Sequence, residues 1–119
     1  MSDARLIKMI RLLQQRTDDK KISWEETIHD NTYQSAFPTY TIQIGQYPNE
    51  DSFGKTIDYF IRILDEYNKV IEEATDVDLK NEVEYSYNIM GNLYRSARRQ
   101  AMGVDKALDS ILSELESDD

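Results

Sequence analysis

The spacing of apolar residues changes twice along this chain, and that change limits the fold more than any other feature. Leu6, Met9, Ile10 and Leu13 recur at three and four residues, with Ile7 beside them. Between 22 and 75 the apolar residues alternate instead. From Leu79 to Leu115 the longer spacing returns. A period near 3.6 marks a helix buried along one stripe, and a period of two marks a strand with one buried face. Helix, strands and helices in 119 residues make one domain of ordinary size.

The first helix is expected over 3–17, capped by Ser2 or Asp3 and ending at Thr17-Asp18-Asp19. In the alternating region Ile22, Trp24 and Glu26 share one side of a short strand. Tyr33, Ser35 and Phe37 share a side of the second, and Tyr40, Ile42 and Ile44 a side of the third. After a loop at 48–54, Ile57, Tyr59, Ile61 and Ile63 line a fourth strand, with Asp58 and Arg62 opposite. Asp65-Glu66-Tyr67-Asn68 turns the chain, and Val70 to Ala74 returns it. No segment supplies a crossover helix, so the strands pair antiparallel. Asp76 and Asp78 suit the cap of a long second helix striped by Leu79, Val83, Tyr87, Met90, Tyr94, Ala97 and Ala101. Gly91 interrupts that stripe and permits close packing; Gly103 ends or bends the helix. Val104, Leu108, Ile111, Leu112 and Leu115 then form a last amphipathic helix, fraying at 116–119. The expected fold is a single α+β domain over 1–119. It is an antiparallel four- to five-stranded meander with an N-terminal helix and one or two C-terminal helices packed on one face.

The formal net charge of -9 opposes contact with DNA or an anionic membrane. The charge is uneven: residues 1–21 carry six bases and three acids, while 22–84 carry four bases and fourteen acids. Cysteine is absent, which excludes disulfides, thiolate metal sites and cysteine nucleophiles and fits a reducing cytoplasm. No apolar run approaches the ~20 residues that span a bilayer, and the start of the chain does not read as a secretory signal. The expected location is cytoplasmic.

Residues that could carry chemistry are few. His29, the only histidine, stands in the turn-like stretch His29-Asp30-Asn31-Thr32, and no Gly-x-Ser-x-Gly elbow accompanies it. Glu72, Glu73, Asp76, Asp78 and Glu82 form the densest group of carboxylates, the ligand type of hard cations. Their spacing matches no calcium loop, and helix capping accounts for Asp76 and Asp78. Gly54-Lys55-Thr56 resembles the tail of a phosphate loop, but Asn49 stands where its first glycine belongs. No catalytic residue, metal ligand or cofactor is therefore expected.

Arg95, Arg98 and Arg99 share a helical face at spacings of three and four. Neighbouring carboxylates or water can answer such a group; so can an acidic partner, because arginine makes planar bidentate contacts. With Tyr87 they are the candidate partner-binding residues. Eight tyrosines are many for one small domain, and Tyr47, Tyr67 and Tyr85 fit the apolar faces least well.

The layout resembles a family of small uncharacterised bacterial proteins over about residues 6–116. Ile22-Ser23-Trp24-Glu25-Glu26-Thr27 and Ala97-Arg98-Arg99 through Gly103-Val104-Asp105-Lys106-Ala107-Leu108 carry the likeness. The hairpin turn departs from it: Glu66-Tyr67-Asn68-Lys69 stands where the family pattern is Asp-Gly-like, although Asn68 can take the left-handed conformation required. The resemblance implies this fold and a bacterial or phage setting; it does not imply an activity.

Three functions are in play. The first is a non-catalytic protein–protein interaction or accessory protein serving a bacterial defence or mobile-element system. The second is an acidic nucleic-acid mimic or inhibitor, and the third a divalent-metal-dependent hydrolase. The first is preferred, with another protein as partner, no enzyme activity, no membrane, and direct nucleic-acid binding disfavoured. Apolar surface left on 104–115 also suggests a homodimer.

Overall fold

The computed structural model describes residues 4–51 and 54–117, the side chains of 48–56 excepted. Helix α1 spans Ala4–Asp18 and buries Ile10, Leu13 and Thr17, in line with the predicted stripe. Arg16 in its last turn suits the negative end of the helix dipole. The chain leaves through left-handed Lys20, with φ at 60°. There the Lys21 N–H donates to the Arg16 carbonyl at 2.8 Å and the Lys20 N–H to that of Thr17 at 3.0 Å. Glycine is the usual residue at the turning position of this two-bond cap.

Strands β1 (Glu25–Glu26), β2 (Thr32–Ala36), β3 (Thr41–Asp51), β4 (Gly54–Leu64) and β5 (Val70–Thr75) form one sheet in chain order. Every neighbouring pair is antiparallel, as the alternation requires. Asn68 in the β4–β5 turn is left-handed, with φ at 65°.

Several sequence expectations need correction. The segment 48–54 is not a loop, because β3 and β4 stay paired out to Asp51 and Gly54. Pairing of β2 with β3 ends at Gly45, so Pro48 sits where the sheet has narrowed, a setting that tolerates proline. The first strand does not begin at Ile22. The Trp24 N–H is taken by Gln100 Oε1 at 2.6 Å, and Gln100 Nε2 donates to the Ile22 carbonyl at 3.1 Å. A side chain of the helix Ser86–Ala101 thus replaces a ladder partner.

The third correction concerns the long second helix, which is broken into α2 (Asp76–Leu79) and α3 (Ser86–Ala101). Tyr85, left-handed with φ at 63°, precedes α3. The cap of α2 is Thr75, whose Oγ1 accepts the Asp78 N–H at 3.2 Å while Asp78 Oδ2 accepts the Thr75 N–H at 2.9 Å. Asp76 points inward instead. Its Oδ1 accepts the Tyr59 N–H at 2.8 Å, and its carbonyl accepts the Ser86 hydroxyl at 2.8 Å. These bonds hold the break closed, and Leu79 stays buried on the stripe.

Helix α3 lies against β1 to β4, and α1 and α2 lie beside α3. Ile42, Ile44, Tyr59, Ile61 and Ala74 of the sheet meet Met90, Leu93, Tyr94 and Ala97 of α3 and Ile10 and Leu13 of α1 in one core. Trp24 joins it on the same side as Ile42 and Ile61. Its indole Nε1 donates to Thr17 Oγ1 at 2.8 Å. A Cβ on Gly91 would stand 3.1 Å from the Tyr59 ring, so the glycine does serve close packing. Tyr40 and Phe37 were expected on the apolar side but are exposed. They flank the β2–β3 turn, where the Phe37 N–H bonds the Tyr40 carbonyl at 2.8 Å.

Helix α4 (Val104–Glu116) follows left-handed Gly103 and, among the described residues, approaches no element but α3. The radius of gyration is 16.2 Å, against about 13.5 Å for a compact chain of this length. No helix among the described residues is long and apolar enough to cross a membrane.

Candidate partner-binding surface

The arginine face of α3 is divided by its neighbours. Arg99 Nη2 donates to Asp105 Oδ1 at 2.7 Å and ties the last turn of α3 to the first turn of α4. Arg95 Nη2 donates to Asn92 Oδ1 at 2.6 Å. Arg98 is exposed, as are the other two. Tyr87 packs against Tyr59 with ring centroids 5.1 Å apart and remains half exposed. Burial raises its hydroxyl pKa, with the adjacent Tyr59 adding to the effect. Two of the three guanidiniums therefore have partners within the chain, the outcome that surface arginines commonly find.

The carboxylate group is dispersed into structural duties. Arg62 Nε bonds Glu73 Oε1 on the solvent face of the sheet. Asp78 closes the α2 cap and Asp76 the β4 backbone bond. Among the described residues, no three His, Cys, Asp or Glu side chains group as a metal ion would need. His29 is exposed in a turn where its backbone N–H donates to Thr27 Oγ1 at 3.1 Å.

The face of the sheet away from the helices is closed by its own side chains. Gln43 Nε2 donates to Gln34 Oε1 at 3.1 Å, and Gln34 Nε2 to Glu25 Oε1 at 2.9 Å. Phe60 is buried on this face under the stacked ring of Tyr47 at 5.2 Å, with the Arg62 guanidinium 4.0 Å from its ring centre. This cluster was not foreseen, although the run Tyr59-Phe60-Ile61 is apolar on both sides and is the signal for it.

Helix α4 is the least satisfied element. It buries no residue, and Leu108, Ile111, Leu112 and Leu115 are 44%, 55%, 51% and 74% exposed. With Val104 these side chains lie at spacings of four and three, on one stripe of the helix. Asp109 and Glu116 flank the stripe on one side and Glu114 on the other. An apolar strip with acidic margins is what a helix presents to a groove.

Concave surface lies at the C-terminal end of α1 and along its length. A cleft of about 430 Å³ at the junction with α3 and α4 is lined by Thr17, Lys20, Ser96, Arg99 and Gln100 among others, with Asp105 at its margin. A groove of about 340 Å³ runs along α1, bounded by Lys8, Met9, Leu12, Arg16, Ile22 and Phe37. Its lining is almost wholly apolar between cationic tips. No family model, curated protein or solved structure matches this chain.

Proposed function

We propose that this chain is a non-catalytic interaction protein that docks on another protein through α4. One observation carries the reading: a 13-residue amphipathic helix that buries none of its own apolar side chains. Leaving such a stripe in water forgoes roughly 25 cal/mol for every Å² that a partner would cover. An isolated helix of this length is marginal in water without such cover. The acidic margins select a partner with an apolar groove and basic rims. Arg98, in the last turn of α3, would widen the same contact, whereas Tyr87 lies in the first turn, at the end of that helix far from α4. A cytoplasmic accessory role in a bacterial setting is part of this proposal.

The mimic reading lacks a surface of its own. Glu25 and Glu73 lie on the solvent face of the sheet, Glu72 shares a cross-strand position with Ile63, Asp65 holds a turn and Asp78 a cap. These five carboxylates are thus spread over more than one face, which favours the docking reading.

Cross-linking in the native cell tests the proposal, comparing the parent with a Leu108→Lys, Leu112→Lys variant. The parent should yield a defined cross-linked complex that the variant loses, with circular dichroism unchanged because both positions are exposed. The same complex from both proteins would refute docking through α4.

A further inference from the structure

We infer that the α4 stripe of one copy seats in the α1 groove of a second copy, and reciprocally, so that the chain is a helix-exchanged homodimer. The inference rests on the reading of α4 as a docking element and names its partner.

The two surfaces match in chemistry. Met9, Leu12, Ile22 and Phe37 give the groove an apolar lining, with Leu12 and Phe37 still 42% and 40% exposed. Lys8 and Arg16 stand along its rim. The stripe on α4 is aliphatic, and Asp109, Glu114 and Glu116 stand along its margins. Across the whole elements the complement holds as well: α1 carries four bases and one acid, and α4 four acids and one base. In a chain of net charge -9, the basic helix surfaces are α1 and the arginine face of α3, and on α3 Arg95 and Arg99 already have partners in Asn92 and Asp105. Opposite charges at the rim of an apolar contact set orientation and speed association.

Among the described residues, nothing fills the groove. Helix α4 contacts α3 alone, and the Arg99–Asp105 pair fixes its departure at Gly103. Reciprocity follows from symmetry. One-way docking would leave a free stripe and a free groove at the ends and propagate a filament, whereas a two-fold exchange uses both pairs and closes. It also doubles the contact, bringing a helix only about 20 Å long toward the ~1,600 Å² of a stable association.

Sedimentation equilibrium with charge-exchanged variants is the test. The parent should sediment at twice the 14.0 kDa chain mass. Lys8→Glu, Arg16→Glu in the groove, or Glu114→Lys, Glu116→Lys on the helix, should each weaken the dimer about ten-fold or more. An equimolar mixture of the two variants should restore it, because each acidic groove then meets a basic helix and each basic groove an acidic one. This rescue distinguishes lost docking from lost folding. A parent that stays monomeric would overturn the inference, and so would a dimer indifferent to the groove charges, which would mean α4 pairing with α4. An intramolecular disulfide between Leu12→Cys and Leu112→Cys would also overturn it, showing α4 folded over its own groove. In any of these cases, a cellular complex still lost with Leu108→Lys, Leu112→Lys would leave docking through α4 standing with a different partner.

Discussion

Phe60 occupies the space that a side chain on Gly45 would fill. The two residues face each other across β3 and β4, and a Cβ on Gly45 would lie 2.7 Å from Phe60 Cε2 and 2.8 Å from the Asn31 carbonyl oxygen. The glycine is what lets an aromatic ring lie flat on the solvent face, under Tyr47 and beside Arg62.

Gly45→Ala should therefore destabilise the fold by about 1–3 kcal/mol, the usual cost of overpacking. Urea denaturation followed by the single tryptophan measures it. Part of the loss should return in the Gly45→Ala, Phe60→Leu double variant, since the smaller side chain frees space. Strictly additive effects would show that the two positions do not compete.

The buried chain Trp24–Thr17–Leu13 makes a second prediction. Trp24 Nε1 donates to Thr17 Oγ1 at 2.8 Å, and Thr17 Oγ1 donates to the Leu13 carbonyl at 2.6 Å. Thr17→Val keeps the shape and strands the indole N–H, at a cost of about 1–3 kcal/mol. In a Trp24→Phe background, where no N–H is left unsatisfied, the same substitution should cost distinctly less. Equal costs in both backgrounds would rule out the bond as the cause.

Asp76 gives the fold a pH dependence. Burial raises its pKa above the ordinary 3.8, opposed by the Tyr59 N–H bond and reinforced by the charge of Asp58. The folded chain thus holds this proton more tightly than the unfolded chain. The resulting stability is complete below 3.8 and is lost as pH rises through the folded value. Asp76→Asn keeps an acceptor for Tyr59 and removes the charge. Its stability relative to the parent should climb from about pH 4 upward and then level off. Urea midpoints across that range would show a flat difference if the carboxylate were not strained by burial.

Lys20 closes α1 with a backbone conformation that favours glycine. It is exposed, so its side chain contributes little to packing. Lys20→Gly should stabilise the protein by about 1 kcal/mol, raising the thermal midpoint by several degrees. An unchanged or lower midpoint would mean that the unfolded chain's gain in freedom offsets the relief.

Much of the fold was legible because burial on one face imposes a period. The alternation of Ile42 and Ile44, and of Tyr59, Ile61 and Ile63, marks strands with one covered face, and the stripes of α1, α3 and α4 mark helices. The break between α2 and α3 was not legible. Leu79 and Val83 keep the helical spacing on both views, while the bonds that close the break reach from Asp76 to Tyr59 and Ser86. The arginine group was visible, but its answer by Asp105 and Asn92 depends on how α4 leaves α3.

Local spacing and composition alone determined the α+β order, the antiparallel meander, the covered face and the acidic character, because each depends on neighbours a few residues apart. Tertiary structure alone decided that Phe60 is buried on the solvent side, that Gln100 replaces a strand partner for Trp24, and that α4 stands away from the core. Those outcomes depend on residues far apart in the chain meeting in space, or failing to meet, and no periodicity encodes such a meeting.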